Sequence, residues 1–289
     1  MSAEKTWGDL GAATKTRLIA GGIANINQES QWLVEEVSGM TSAELIAATN
    51  AIAPVRSVDR LESLVDRRLT GEPLQYVLGS WSFCGIDLMV DRRVLIPRPE
   101  TEGLVELART ELARLKVAAN DVVVDLGTGS GAIAIGLAAQ LPGVEIWATD
   151  REPSALEVAR ANLAGVGRMA AGVRVAQGSW FDALPVALRG RIRMVVSNPP
   201  YLTEEELADQ DELKQEPVSA LVSGPTGLEC ISIIVEDAIN WLTSDGVLLV
   251  ELDPRRADAA LQCARNAGFT DAEIENDLAG RARVLIARR

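Results

Sequence analysis

The sequence predicts an α/β domain built on a largely parallel sheet, preceded by a small helical bundle. Three observations carry that expectation. From about residue 98, short Val/Ile-rich runs alternate with helix-like segments, the pattern of strand–helix–strand units. Over residues 1 to about 75 the apolar residues recur at helical spacing. Between the two lies a stretch rich in aromatic and β-branched residues, broken by Gly79 and Gly85, which suggests a hairpin. The expected organisation is a helical domain at 1–75, a hairpin linker at 76–97 and the α/β domain at 98–289.

In the helical part, Thr41 followed by Glu44 is a capping-box start for the helix carrying Leu45 and Ile46. Leu61, Leu64, Val65 and Leu69 fall on one helical face, and Ile26, Trp32, Leu33 and Val37 supply another apolar stripe. Such a bundle serves either as a structural cap or as a partner-recognition module. The run YVLGSWSFCGIDLMVDRRVLIP is closed by Pro97 and Pro99. Strands are then expected at 122–126, 144–149, 173–176, 192–197 and 246–252, with two more around 272–275 and 283–287, and helices at 132–140 and 154–163. The first four strands are short apolar runs, as in parallel sheets covered on both faces. In such sheets ligands sit beyond the carboxyl ends of the strands.

Composition narrows the chemistry. The chain has 289 residues, 47% apolar, so it can bury a core. Its net charge of −13 argues against duplex DNA or RNA as main partner, because phosphate binding needs a basic footprint. It has no histidine, which removes Ser-His-Asp and Cys-His catalysis and His-ligated zinc together. Cys84, Cys230 and Cys263 form no CxxC, so neither a disulfide framework nor a thiolate metal site is expected. No run approaches the roughly 18 apolar residues of a membrane span, and the opening MSAEKTWGDLGAATK has no apolar core of signal-peptide type. A reducing cytoplasm is the expected setting.

Residues 121–135 read DVVVDLGTGSGAIAI: an apolar strand, then Gly127, Gly129 and Gly131 opening a helix. Glycines there permit a tight turn and close approach of backbone to a ligand. The spacing G-x-G-x-G is not that of dinucleotide binders. Asp150 ends the next strand, where a carboxylate can accept from both ribose hydroxyls of a nucleoside. Together they suit S-adenosylmethionine at least as well as NAD, since no pyrophosphate cradle is present.

Residues 197–202 read SNPPYL, directly after the strand IRMVV. Two prolines fix φ and remove two backbone donors, and a residue before proline is held extended. The loop therefore presents acceptors, the Asn198 side-chain oxygen and the Pro199 carbonyl, that suit the two N–H donors of a planar amino or amide group. Tyr201 could pack against that flat group. Acceptors on both protons orient a weakly nucleophilic nitrogen and push electron density onto it. In-line methyl transfer from a sulfonium can then be catalysed largely by positioning, with no histidine base.

The chain resembles the peptide chain release factor N5-glutamine methyltransferases (the PrmC/HemK family). The resemblance runs through RRLTGEPLQYVLG at 67–79, VLIPRPETE at 94–102, DLGTGSGAIAI at 125–135, ATD at 148–150, SWF at 179–181, SNPPYL at 197–202 and DLAGR at 277–281. It implies a seven-stranded Rossmann-like S-adenosylmethionine-dependent methyltransferase domain after an N-terminal helical substrate-recognition bundle. It implies methylation of the glutamine in the Gly-Gly-Gln motif of class 1 release factors. By motif, Gly127, Thr128, Gly129, Ser130 and Gly131 would hold the methionine portion of the cofactor, Asp150 the ribose, and Trp180 the adenine. Asn198, Pro199, Pro200 and Tyr201 would hold the substrate glutamine, with Asn198 also beside the cofactor. No metal and no stable nucleic-acid partner are expected. Three positions depart from the family pattern: Ser179 where Asp often precedes the Trp, Arg255 in the LDPRR run where a glycine and a glutamine are expected after Glu251, and Ala282 in place of an acidic residue.

The segment 203–216 holds seven acidic residues and one lysine, a solvated helix or an acidic lip for a basic protein surface. Glu100 and Glu102 are placed to charge the start of a helix after Pro99. A ribosomal-protein glutamine methyltransferase, an N6-adenine methyltransferase and a non-catalytic cofactor-binding module are the competing readings.

Overall fold

A computed structural model describes residues 4–289. The chain divides into two compact units meeting in sequence at Gly79 and Ser80.

The first unit is helical: α1 (Trp7–Ala20), α2 (Ile26–Ser38), α3 (Ser42–Ala47), α4 (Val55–Leu69) and α5 (Leu74–Leu78). Capping boxes start α1 at Thr6 and α3 at Thr41, the latter as its Thr-x-x-Glu spacing predicts. Leu10, Leu18, Leu33, Leu61, Leu64 and Val65 form the core, with Leu69, Ile26, Trp32 and Val37 packed against it. Glu29 is buried within it and accepts from Arg68 Nε at 2.6 Å. Residues 76–78, expected to begin the hairpin, close α5 instead; Gly79 at φ +80° ends that helix.

The second unit opens with the hairpin β1 (Ser80–Phe83) and β2 (Ile86–Met89). Then follow α6 (Pro99–Arg114), β3 (Val122–Leu126), α7 (Ala132–Gln140), β4 (Glu145–Asp150), α8 (Pro153–Val166), β5 (Val173–Gln177), β6 (Ile192–Ser197), α9 (Glu204–Ala208), α10 (Glu229–Trp241), β7 (Leu242–Glu251), α11 (Ala257–Ala267), β8 (Asp271–Asn276) and β9 (Ala282–Arg288). The seven strands β3–β9 form one sheet in the order β5-β4-β3-β6-β7-β9-β8. The pairs among β3–β7 are parallel; β9 runs antiparallel to β7, and β8 to β9.

Both sheet faces are covered, which is why the central strands read as continuous apolar runs. Val123, Ile146, Met194, Val247 and Ile286 face α6 and α7. Val124, Val195, Leu248 and Leu285, one residue out of phase, face α10 and α11. Each fully buried aliphatic side chain contributes about 1.5–3 kcal/mol. The sequence order reverses at β3: β4 and β5 lie to one side, β6 and β7 to the other. The carboxyl ends of β3, β4 and β6 therefore open around a topological switch point, the ligand position of open α/β sheets.

Candidate active site

At the end of β3 the chain turns through Gly127, Gly129 and Gly131 at φ +73°, +54° and +84°. Any other residue would be strained there. The N–H groups of Gly127 and Thr128 both donate to the Thr149 carbonyl, at 2.9 and 2.8 Å, and Gly129 N–H donates to Asp150 Oδ2 at 2.9 Å. Backbone bonds thus tie the turn to the end of β4. Beneath it lies Asp125, fully buried. Its Oδ2 accepts from the Thr128 hydroxyl at 2.6 Å and Ala134 N–H at 3.1 Å, while Oδ1 has no partner among the described residues. Burial pushes its carboxyl up to about 7.

Asp150 also accepts from Glu152 N–H, on Oδ1 at 2.9 Å. Burial raises its pKa and the two N–H donations oppose that rise. An ionised carboxylate offers about four acceptor sites, so each oxygen keeps room for one hydroxyl. That is the fit a ribose diol needs. Trp180, at φ +46°, sets its half-buried indole over the turn, where a Cβ on Gly127 would stand 3.5 Å from the ring.

On the other side of the switch point, Ser197 ends β6 and donates its hydroxyl to the Leu126 carbonyl at 2.7 Å. Asn198 follows, its Nδ2 donating to Thr101 Oγ1 on α6 at 3.1 Å. Pro199 is buried behind it. Tyr201 packs against the α10–α11 core, and burial together with Glu251 pushes its hydroxyl up to about 12, so it stays neutral near pH 7.

Of the residues singled out in sequence, Gly127, Gly129, Asp150, Trp180, Asn198 and Pro200 line one cleft of about 710 Å³, open mouth included. Thr128, Ser130 and Gly131 do not line it. The Thr128 hydroxyl is committed to Asp125, the Ser130 carbonyl accepts from Asn162 Nδ2, and Gly131 packs against Ala159. Pro199 and Tyr201 also lie outside the lining. Ser179, one of the departing positions, lines it too, and sequence reasoning gave no site role to Arg93, Leu95, Pro217, Ser219 and Cys230, which are also on the wall. The only signal for them was the proline punctuation around the flanking segments.

The acidic segment 203–216 is partly structural. Glu206 closes the capping box of α9 with Thr203 and pairs with Arg255 and Arg256, so the departing LDPRR run anchors it. Glu216 is buried, accepts from Ile96 N–H at 2.9 Å and pairs with Arg98. It fastens the stretch after NPPY to the Pro-Arg-Pro segment. Glu100 and Glu102 sit on the first turn of α6 as expected, and Glu102 also accepts from Cys84 N–H at 2.9 Å. Among the described residues, no group of three or more Cys, Asp or Glu could hold a metal, and no helix is long and apolar enough to cross a membrane.

A glycine turn, an acidic strand end and an NPPY loop around the switch point of this seven-stranded sheet define an S-adenosylmethionine-dependent methyltransferase. The sequence matches the PrmC N-terminal domain family over residues 10–79 and the methyltransferase small domain family over 108–224. It is 38% identical to a release factor glutamine methyltransferase of Deinococcus radiodurans, over 97% of this chain and 98% of the relative. It is 39% identical to that of Neisseria gonorrhoeae, over 90% and 92%. The chain belongs to the release factor glutamine methyltransferase family. Among solved structures, the hMettl16 catalytic domain in complex with the MAT2A 3'UTR hairpin 6 superposes with a TM-score of 0.56 at 14% identity, over 81% of each chain. A methyltransferase from Pyrococcus furiosus gives 0.50 at 17%, over 77% of this chain and 96% of that one. These two likenesses show the fold alone.

Proposed function

We propose that this protein methylates the side-chain amide nitrogen (N5) of the glutamine in the Gly-Gly-Gln motif of class 1 peptide chain release factors, leaving S-adenosylhomocysteine and using no metal. The observation that supports this reading most is the donor-poor NPPY turn, which puts Asn198 and Pro200 on the cleft wall. The names of the relatives supply the substrate.

S-adenosylmethionine supplies an electrophilic methyl on a sulfonium. Gly127 and Gly129 would let the backbone approach the methionine portion, Asp150 would accept from the ribose hydroxyls, and Trp180 would hold the adenine. Asn198 Oδ1 and the Pro199 carbonyl accept from the two N–H groups of the glutamine amide. Pro200 stiffens the turn, and Tyr201 packs behind it. Holding both protons aims the nitrogen lone pair at the methyl, and such positioning can supply several kcal/mol of barrier reduction, roughly 7–11 at most. The methylated nitrogen is a strong acid and gives its proton to water, so no side-chain base is required. The charge of −13 favours a protein over nucleic acid as the partner docked beside the site.

The test offers labelled S-adenosylmethionine with purified release factor, its Gln→Ala variant in Gly-Gly-Gln, a ribosomal-protein fraction and duplex DNA. Label on the wild-type factor alone is expected. Label on DNA or on a ribosomal protein, with none on the factor, contradicts the substrate assignment.

A further inference from the structure

Two stretches of the cleft wall are not fixed by the sheet. Arg93, Val94 and Leu95 come from the run that leads to Pro97 and Pro99, and they lie outside any helix or strand. Pro217, Ser219 and Ala220 come from the end of the acidic segment, the last two in a single short turn. No ladder of main-chain bonds places such stretches, so their position depends on ties made by side chains.

One carboxylate joins them. Glu216 immediately precedes Pro217, and Ile96 immediately follows Leu95. Glu216 Oε2 accepts from the Ile96 N–H at 2.9 Å, and Oε1 accepts from Arg98 Nη2. Ile96 and the Glu216 side chain are each only 2% exposed. Without the carboxylate, the Ile96 N–H would be a buried donor with no partner and Arg98 would lose this counter-charge, a costly pair of losses. The Pro217 stretch is also tied to the exit of the NPPY loop. Leu202 N–H donates to the Leu221 carbonyl at 3.0 Å, and Ser223 N–H to the Leu202 carbonyl at 2.9 Å. From the end of β4, Arg151 Nη2 reaches the Ser219 carbonyl at 3.4 Å.

We propose that Glu216 is a positioning residue for S-adenosylmethionine: by gripping the Ile96 N–H and Arg98, it holds the 93–95 and 217–220 stretches of wall together around the cofactor. This rests on the reading that the cleft holds the cofactor. Glu216 does not itself line the cleft, so it acts through the residues on either side of the grip. Such a clamp and the cofactor are linked. The factor by which the closed clamp tightens cofactor binding is the factor by which bound cofactor holds the clamp closed. The Ile96 amide reports the second quantity directly, because its hydrogen bond is the clamp.

The experiment uses the full-length protein as wild type, Glu216→Ala, Glu216→Gln, Glu212→Ala and Asp150→Ala. Calorimetry reads S-adenosylmethionine affinity, and NMR reads hydrogen–deuterium exchange of the Ile96 amide with and without saturating cofactor. Glu216→Ala is expected to bind about 10-fold more weakly, and Glu216→Gln, whose side-chain oxygen can still accept from Ile96, about threefold. Glu212→Ala removes an exposed charge from the same segment and should bind within about twofold of wild type. In wild type, saturating cofactor should slow Ile96 exchange by about the same 10-fold; in Glu216→Ala the amide should exchange faster and ignore the cofactor. A carboxylate that only braces the fold would leave Ile96 exchange blind to cofactor. Affinity kept within about twofold in Glu216→Ala, an equal loss in Glu212→Ala, or wild-type Ile96 exchange indifferent to cofactor overturns the proposal. Should Glu216→Ala fail to fold, Glu216→Gln and the wild-type exchange decide. Asp150→Ala separates the two readings. If it binds cofactor as wild type does, the cofactor is not in this cleft and the underlying reading fails; if it loses affinity while Glu216→Ala does not, the clamp alone fails.

Discussion

The two sides of the cleft are built by different means. On the cofactor side, the glycine turn is held by main-chain donors: Gly127, Thr128 and Gly129 N–H groups bond to Thr149 and Asp150. On the acceptor side, Asn198 is held through the side chain of Thr101, which lies 97 residues away in sequence. Each side also rests on a buried carboxyl pushed up to about 7, Asp125 under the glycine turn and Glu251 behind NPPY. Asp125 is held by a local hydroxyl and a helix N–H. Glu251, at the end of β7, keeps its Oε2 without a hydrogen-bond partner among the described residues. In the proposed reaction this is a division of labour: the main-chain-built side would hold the cofactor, and the side-chain-held Asn198 would orient the substrate amide.

The sharpest way to break that comparison is Asn198→Ala, expected to cost on the order of 10²–10³ in kcat, the scale of losing one preorganised polar group. Steady-state turnover checks it, and an undiminished kcat would remove Asn198 from the acceptor role. Asp150→Ala strikes the other side. Loss of hydrogen bonds to a charged group, about 1.5–3 kcal/mol, weakens S-adenosylmethionine binding roughly 10- to 100-fold while kcat at saturating cofactor stays near wild type. Calorimetry and a cofactor titration of turnover separate the two effects.

A further expected effect is on stability rather than on turnover. Asp125 has a folded pKa of about 7, above its unfolded value near 3.9. Between those values the native state holds a proton that the unfolded chain has released. Its contribution to stability therefore falls as pH rises from about 4 to about 7 and is flat above that. Asp125→Asn removes the slope. Denaturant melts at about pH 5 and pH 8 should show the wild type losing about 2–3 kcal/mol more than the variant across that interval. An identical pH dependence would mean that Asp125 titrates normally in the folded state.

Much of this was legible in the sequence, for identifiable reasons. β3 and β6 fall where their Val/Ile runs place them, because strands buried on both faces must be continuously apolar. β7 begins at Leu242 rather than 246, since a register shift between Ile192 and Met194 admits the polar Thr243–Asp245 stretch into the strand. Tyr76–Leu78 reads as strand by composition but is helical after Pro73, because local propensity is a weak prior for so short an element. The glycine turn and the NPPY loop were visible as punctuation in one stretch of chain. Thr101 was not, since an ordinary threonine on a helix acquires meaning only when folding brings it to Asn198. Thr128 and Ser130 show the converse: they sit inside a recognisable motif, yet their polar groups serve the turn.

The most direct test of this division is one paired measurement on Asn198→Ala and Asp150→Ala: S-adenosylmethionine affinity by calorimetry and single-turnover methyl transfer to release factor at saturating cofactor, on the same preparations. The account predicts that Asn198→Ala binds cofactor within about threefold of wild type and transfers on the order of 10²–10³ more slowly, while Asp150→Ala binds 10- to 100-fold more weakly and transfers at close to the wild-type rate. Affinity and transfer falling together in both variants would contradict it.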